Sequence, residues 1–213
     1  DSVYEDDETV IVAISTLTGS SAQENGDQSV TTTITENESA PTITLATSAT
    51  SIAENSSDTV TLTATASQVA DEDITVTLAT TGTGTSGTDY PSVNATTITI
   101  SAGDTTGTKT FTITDDSVSE GDETAIVAIS AVSGGSATES GAQSVTVTIT
   151  DNDSPSITLT SSVSTLAENS SSTVTLTATS SMTSTSDITV TLATAGTATD
   201  GTDYSSVNGS TIT

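Results

Sequence analysis

Apolar and hydroxyl-bearing residues alternate almost strictly along much of the chain. The run at 59–66 reads TVTLTATA and the run at 74–78 reads ITVTL, so threonine and an aliphatic residue take turns. A period of two places the aliphatic side chains on one face of a β-strand and the threonines on the other. Strands of this kind suit an antiparallel sheet that has one buried face and one face in water.

The alternating runs predict about seven strands in the middle of the chain. Turn-rich segments such as TTGTGTSG and SAGDTTG separate them. No stretch combines helix-capping residues with a 3.6-residue period, so the sequence predicts an all-β fold built as an antiparallel β-sandwich. The approximate strand positions are 42–47, 59–66, 73–80, 96–101, 107–115, 123–132 and 143–150.

The predicted core is thin, because the sequence has one Phe and no Trp. Small side chains bury less apolar area per residue, so we expect stability to depend on something besides packing, and a bound ion is one candidate. The side chains expected to be buried are Val60, Leu62, Val76, Ile98, Phe111, Ile113, Ile126, Val147 and Ile149.

The chain is a tandem repeat with a period of about 115 residues. EDDETVIVAIS at 5–15 returns as EGDETAIVAIS at 120–130, and AENSS occurs at both Ala53 and Ala167. The repeat predicts three segments: the C-terminal part of one copy at 1–38, a complete copy at 39–153, and the N-terminal part of another at 154–213. We therefore expect tandem sandwiches.

The chain starts and stops inside repeats, and we expect it to be a window cut from a longer protein. The alternative is head-to-tail assembly, in which residues 1–38 of one copy complete residues 154–213 of the next by strand addition. That composite would still lack counterparts of residues 100–115.

The charge balance narrows the classes of partner. The sequence has 28 acidic residues, one basic residue, Lys109, and no His, which removes any electrostatic case for binding nucleic acid or an anionic membrane. It also has no transmembrane run, so we expect no direct membrane insertion of this segment. A polyanion of this kind favours cations. Cysteine is absent as well, so disulfides and thiolate metal sites are excluded.

Most acidic residues fall in short clusters where predicted strands begin or end. In the complete copy the clusters are Glu54, Asp89, the run of Asp115, Asp116, Glu120, Asp122 and Glu123, and the pair Asp151 and Asp153. If these clusters share one end of the sandwich, carboxylates about 4 Å apart repel by about 4 kcal/mol at an effective dielectric constant near 20. Calcium fits such a site best, since it takes six to eight oxygen ligands from flexible loops. The alternative is that the carboxylates are solvated loop charges.

Several linked motifs resemble those of a Calx-β repeat, found in the regulatory domains of sodium-calcium exchangers and in many microbial surface proteins. The motifs are GTDY, ITISAGDTTGTKTF, TITDDSVSEGDETAIVAIS and the closing VTVTITDND. The resemblance implies an immunoglobulin-like sandwich that binds calcium at one tip, next to the following domain. The ligands that it implies are Glu54, Asp89, Asp115, Asp116, the carbonyl of Val118, Glu120, Glu123, Asp151 and Asp153.

The two partial copies carry parts of the same ligand set. Asp1, Val3, Glu5 and Glu8 repeat the middle loop, while Glu168 and Asp203 repeat the early positions. In the first copy, Glu36 and Glu38 replace the two closing aspartates, and their longer side chains leave the geometry of that site open.

These features predict an extracellular structural protein and argue against an enzyme. The sequence has no His, Cys or Arg and no nucleophile elbow or phosphate loop. We expect a segment of a bacterial surface stalk, adhesin or filament, stiffened by calcium, whose partners are neighbouring repeats of the same chain and other copies in a filament. The alternatives are a calcium-dependent module that binds carbohydrate or protein, and a calcium-sensing domain of a membrane transporter, to which the Ser/Thr-rich sequence is a poor match.

Overall fold

The computed structural model describes residues 2–213, and the regular elements in that range are β-strands. No helix among these residues is long and apolar enough to cross a membrane. The all-β prediction is confirmed. The strands are β1 Val3–Tyr4, β2 Glu8–Ala13, β3 Ser29–Ile34, β4 Thr42–Thr47, β5 Ser51–Ala53, β6 Thr59–Ala66, β7 Val69–Ala70, β8 Ile74–Gly82, β9 Thr97–Ile100, β10 Thr106–Thr112, β11 Val118–Ser119, β12 Glu123–Ser133, β13 Thr138–Glu139, β14 Ser144–Thr150, β15 Ile157–Ser161, β16 Leu176–Ser180, β17 Thr183–Ser184, β18 Val190–Thr191 and β19 Thr211–Ile212.

Residues 41–153, here called the central sandwich, form two sheets that face each other. The first sheet has the strand order β10-β6-β4-β13, and the second has the order β5-β14-β12-β8-β9. The long strands pair antiparallel, in agreement with the prediction. Each predicted strand of the complete copy is present.

Two short edge strands, β5 and β13, each pair in parallel with a longer strand, and the alternation predicted neither pairing. After β4, the chain turns at 48–50, leaves the first sheet and continues as β5 beside β14 in the second. Strand β13 pairs parallel with β4 at the other edge. The first predicted strand therefore serves both sheets, and this crossover places the residue after β5 beside the end of β14.

The core consists of the inward positions of the alternating strands. Along β6 every second residue is buried, from Val60 to Ala66, while the threonines between them are more exposed. Eight of the nine residues expected in the core are buried. The prediction for Ile126 is wrong: Ala125 and Val127 occupy the inward positions of β12, so Ile126 points to the outer face and is half-buried.

Two aromatic side chains and one cation mark the end of the core near β10. Tyr90 is fully buried, and its ring centroid lies 5.9 Å from that of Phe111 at an interplanar angle of 51°. Lys109 lies two residues earlier on β10, an edge strand, at a position of the same inward phase as Phe111, and is half-buried.

The flanking segments repeat parts of this architecture. In residues 2–38, here called the N-terminal hairpin, β2 pairs antiparallel with β3, as β12 pairs with β14. In residues 154–213, here called the C-terminal half, β15 pairs with β16 and β18 pairs with β19. These pairs correspond to β4 with β6 and to β8 with β9.

Each of two junctions along the chain is a short parallel strand pair. Strand β1 of the N-terminal hairpin pairs with β7 of the central sandwich, and the N–H of Asp71 donates to the carbonyl of Tyr4 at 3.1 Å. Strand β11 of the central sandwich pairs with β17 of the C-terminal half, where the N–H of Thr185 donates to the carbonyl of Ser119 at 3.0 Å. The same kind of joint therefore occurs twice.

Candidate metal centre

A first acidic group forms where β5 and β14 end side by side. The N–H of Glu54 donates to the carbonyl of Thr150 at 3.0 Å, which fixes Glu54 beside the start of the closing acidic segment. Oxygen atoms of Glu54, Asp151 and Asp153 lie within 4.8 Å of one another. This proximity depends on the crossover of the first strand into the second sheet.

A second acidic group forms across the β8–β12 pair. Asp89 lies in the turn that follows β8, where its carboxylate accepts a hydrogen bond from the N–H of Thr85. The carbonyl of Asp89 accepts a hydrogen bond of 2.8 Å from Thr114, which ties this turn to the end of β10. Oxygen atoms of Asp89, Glu120 and Glu123 lie within 4.8 Å of one another.

Members of both groups line one small cavity at the end of the central sandwich. Its volume is about 10 Å³, which is about the room that one atom-sized sphere needs. Glu54 and Asp89 are buried, and the other carboxylates are half-buried. The lining residues are Glu54, Asp89, Glu120, Gly121, Glu123, Ile149 and Asp151.

Asp115 and Asp116, in the loop after β10, are outside both of these groups but lie next to them. The carboxylate of Asp116 accepts a hydrogen bond of 2.7 Å from the N–H of Val118, and the N–H of Asp116 donates to the carboxylate of Glu54. The negative charge of Asp115 contributes, after burial and Asp151, to the raised pKa of Asp153. Val118 itself lies in β11, so the middle of the acidic loop is also a strand of the junction to the C-terminal half.

Burial, together with the crowding of negative charge, raises the pKa values of several carboxyl groups at this site. Burial, together with the charges of three nearby aspartates, raises the pKa of Glu54 to about 7. Burial also raises the pKa of Glu123 to about 7, with a hydrogen bond and repulsion from Asp89 adding to the shift. The pKa values of Glu120 and Asp153 are raised by burial and by neighbouring carboxylates. The site therefore favours any species that brings positive charge.

The residues present fit a calcium ion. The side-chain atoms that could bind a metal here are carboxylate oxygens, and the sequence has no His or Cys to favour zinc. The carboxylates come from several loops, as is usual for calcium sites. One atom is in addition without a partner: Oδ2 of Asp153 is buried and, within residues 2–213, accepts no hydrogen bond. A buried carboxylate oxygen of this kind is costly unless a cation or donor satisfies it.

The partial set in the N-terminal hairpin repeats the hydrogen bonds of the complete set. Glu36 accepts hydrogen bonds from the N–H groups of Glu5 and Glu38, as Asp151 does from those of Glu120 and Asp153. The longer side chain of Glu36 thus keeps the contacts of the aspartate. These bonds lower the pKa of Glu36 to about 2.

The other residues of the partial sets are placed less completely. Val3, Glu5, Glu8, Glu36 and Glu38 line one open pocket of the N-terminal hairpin, and Asp1 lies outside the described residues. Glu168 and Asp203 are exposed, although Asp203 accepts from Thr199 at 2.7 Å, as Asp89 does from Thr85.

Two polar residues outside the expected ligand set hold the loops in place. Asp122 Oδ1 accepts a hydrogen bond of 3.3 Å from the N–H of Asp151, and Asn152 Oδ1 accepts one of 3.1 Å from the N–H of Asn55. The strings EGDE and DND contain both residues, but their spacing alone does not show which side chains bind backbone groups.

The raised pKa values predict an unusual pH dependence for the protein without calcium. Glu54 and Glu123 have folded-state pKa values of about 7 against an ordinary value of 4.5, so folding favours their protonated forms. The free energy of unfolding should therefore fall as pH rises from about 4.5 to about 7, by up to about 3 kcal/mol for each group. Urea unfolding in chelator at several pH values measures this.

Saturating calcium should remove most of that fall, because the ion stabilises the ionised carboxylates. The variant Glu54→Gln should lose its own share of the pH dependence in chelator. A central sandwich that gains stability in chelator as pH rises from 5 to 7 would contradict the assignment.

The chain is similar to one family of domains and to several solved structures. A family model described as the Calx-beta domain matches residues 36–153 and, a second time, residues 150–212. A search of curated protein sequences finds no match. Among solved structures, CBD12 from CALX1.2 is similar at 20% identity, over 53% of this chain and 44% of that chain, with a TM-score of 0.46. The apo form of the Calx CBD1 domain is similar at 21% identity, over 53% of this chain and 99% of that chain, with a TM-score of 0.45.

A further similar structure is the calcium binding domain CBD12 of CALX1.1, at 20% identity, over 54% of this chain and 49% of that chain, with a TM-score of 0.44. The match thus spans less than half the length of both CBD12 structures.

Proposed function

The chain belongs to the Calx-beta domain family, and from that premise we propose that it is an extracellular structural protein whose tandem sandwiches are stiffened by calcium at their junctions. Such a segment suits a surface stalk, adhesin or filament. Calcium is bound by the carboxylates at the end of the central sandwich, and the partners of each repeat are its neighbours.

One observation carries the proposal: the acidic loop and the junction are the same piece of chain. Strand β11 lies between Asp116 and Glu120, two of the expected ligands, and pairs with β17 of the C-terminal half. An ion that orders the loop also orders β11, and an ordered β11 is the template for the pairing. Binding at the site and stiffness of the joint are therefore coupled.

The acidity of the chain supports the same interpretation. Carboxylates of both acidic groups line one cavity, and Lys109 is the only basic residue in the sequence that could balance their charge. Lys109 lies on β10, away from the cavity lining. A divalent cation is then the natural means of holding the loops together at neutral pH.

A module that binds carbohydrate directly is less well supported. Such modules present exposed aromatic side chains to sugar rings. Among the described residues Tyr90 and Phe111 are buried, and Tyr4 and Tyr204 are half-buried.

The test is the dimensions of the 213-residue chain in solution. With saturating calcium, small-angle scattering should give a narrow distribution of long intramolecular distances, and chelator should broaden it. Thr185→Pro removes the N–H that donates to Ser119, so this variant should behave in calcium as the wild type does in chelator.

Thr185→Ala keeps that N–H and is the matched control, since Thr185 is exposed. It should leave the scattering curve unchanged. Identical dimensions of the wild type in calcium and in chelator would refute the stiffening role and favour a plain spacer.

A further inference from the structure

The turn that carries Asp89 occurs twice in the chain with nearly the same sequence. Residues 85–90 read TSGTDY, and residues 199–204 read TDGTDY. The first is here called the Asp89 turn and the second the Asp203 turn, after the aspartate that each contains. Asp89 is one of the carboxylates of the candidate metal centre, so the contacts that hold it in place also affect how an ion is bound.

The two turns contain the same backbone hydrogen bonds. In the Asp89 turn, the N–H of Gly87 donates to the carbonyl of Tyr90 at 2.7 Å, and the N–H of Asp89 donates to the carbonyl of Thr85 at 3.0 Å. The corresponding bonds of the Asp203 turn are both 2.9 Å long. In both turns the N–H of the fourth residue also donates to the carbonyl of the first, at 3.0 Å and 3.2 Å. Each turn is therefore closed by the same bonds.

The aspartate side chain binds the backbone of its own turn in both places. The carboxylate of Asp89 accepts a hydrogen bond from the N–H of Thr85, and Oδ2 of Asp203 accepts one of 2.7 Å from the N–H of Thr199. A local bond of this kind, between an aspartate side chain and a nearby N–H, fixes the direction of the carboxylate. The orientation of Asp89 is therefore set within its own turn.

The two turns lie in different surroundings. Asp89 is buried beside the other carboxylates of the second acidic group, and the next residue, Tyr90, packs on Phe111. Asp203 is exposed and belongs to neither of the acidic groups that residues 2–213 form. Because the same bonds form in a crowded site and in an exposed one, they depend on the local sequence and not on the neighbouring carboxylates.

A glycine at the third position allows each turn to form. Gly87 has a φ of +97° and Gly201 has a φ of +77°, in a region that residues with a Cβ atom seldom adopt. A Cβ atom at either glycine would meet nothing within 4 Å. The glycine is therefore required by the conformation of the backbone and not by a lack of space.

The acidic loop after β10 is held in a different way. The N–H of Glu120 donates to the carboxylate of Asp151 at 2.9 Å, and the N–H of Val118 donates to that of Asp116 at 2.7 Å. These two acceptors are themselves expected calcium ligands, and carboxylates at such a site repel one another when no cation lies between them. We therefore expect the order of this loop to depend on the ion.

We propose that the Asp89 turn is preformed, so that it holds Asp89 in the orientation of a calcium ligand whether or not the ion is present. Gly87 is then a positioning residue, since it acts on the ion only through Asp89. A ligand that is ordered beforehand loses little conformational entropy when the ion binds, so the turn raises the calcium affinity of the cavity. The acidic loop, in contrast, becomes ordered when the ion binds.

This inference rests on the calcium binding that is part of the proposed function, but it does not depend on the stiffness of the junctions. The turn is tested by its order in chelator and by the calcium affinity of the cavity. Stiffening is tested by scattering from the wild type. The two proposals can therefore fail separately.

Hydrogen exchange measured by NMR on the 213-residue chain tests whether the turn is preformed. Relative to the amide groups of β6, the N–H groups of Gly87 and Asp89 should keep their protection in chelator to within about threefold of its value in calcium. Those of Val118 and Glu120 should exchange about tenfold faster, or more, in chelator. A loss of protection at Asp89 as large as that at Glu120 would overturn the proposal.

Substitution of Gly87 tests whether the turn sets the affinity. Gly87→Val places a β-branched residue at positive φ, so it should disturb the turn and weaken calcium binding by about tenfold or more. Gly87→Asn should keep the affinity to within about threefold, because asparagine tolerates positive φ. A calcium titration followed through the NMR signal of the Asp89 N–H measures binding at the central cavity alone.

Gly201→Val is the matched control. It makes the same change in the Asp203 turn, outside the central sandwich, and should leave the calcium affinity of the cavity unchanged. Urea unfolding in chelator verifies that each variant is folded. Wild-type affinity in folded Gly87→Val, or an equal loss of affinity in Gly87→Asn, would overturn the role of Gly87. The exchange measurement on the wild type tests the preformed turn even if Gly87→Val does not fold.

Discussion

Removal of calcium by a chelator at pH 7 should lower the melting temperature of the central sandwich by about 10–20 °C. A ligand present at 100 times its Kd adds about 2.7 kcal/mol of stability, and 1 kcal/mol moves the Tm of a domain of this size by about 4–8 °C. The loss is expected to be large because Glu54 and Glu123 remain close to other carboxylates when the ion leaves. Calorimetry with calcium and with chelator measures it.

Asp116→Asn should reproduce much of this loss in the presence of calcium. The substitution removes one charge beside Glu54 and keeps the shape of the side chain. Asp104→Asn is the matched control: it makes the same change in an exposed turn before β10, whereas the acidic loop follows β10. If chelator leaves the Tm unchanged, the carboxylates are solvated loop charges and no ion holds them.

Phe111→Ala should destabilise the central sandwich by about 3–5 kcal/mol, a large part of the 5–15 kcal/mol typical of a domain. Phe111 is the largest apolar side chain in a core of small residues, and the sequence has no other Phe to compensate. Its ring packs on Tyr90, which follows Asp89 in the chain. We therefore also expect weaker calcium binding, through poorer support of the Asp89 turn.

Urea unfolding of Phe111→Ala in calcium measures the first effect, and calcium titration measures the second. Thr112→Ala on the same strand is the control, because Thr112 is exposed and its loss should change stability by no more than about 0.5 kcal/mol. A loss below about 1 kcal/mol in Phe111→Ala would show that the core does not depend on this ring.

The alternation of apolar and hydroxyl residues was sufficient to predict the long strands, since a buried face and a wet face leave a period of two in the sequence. The alternation did not predict the orientation of Ile126. Its two neighbours in the sequence, Ala125 and Val127, are apolar as well. The run AIVAI therefore has no alternation that would indicate which of its residues point inward. The phase of β12 depends on its register with β14 and β8, which are distant in sequence.

The candidate site was also predictable from the sequence only in part. Acidic residues at strand ends predicted a shared tip, and the structure brings Glu54, Asp151 and Asp153 together at one end. The sequence did not predict that a second tight group would form around Asp89. The position of Glu54 beside Asp151 and Asp153 depends on the crossover from β4 to β5, which leaves no local signature in the sequence. The junction strand β11 was not predicted either, because a strand of two residues is too short to show an alternating pattern.

The inward-facing lysine of β10 bears on how a chain of similar repeats avoids misfolding. Neighbouring domains with similar sequences are prone to exchange strands, and an unpaired sheet edge is where such exchange begins. Three edge strands of the central sandwich are four residues or shorter, whereas β10 has seven. Lys109 lies in the middle of that longest edge. A charge that points towards the core would be buried against any strand added there, so Lys109 disfavours the addition of a strand from a neighbouring repeat to this edge of the central sandwich.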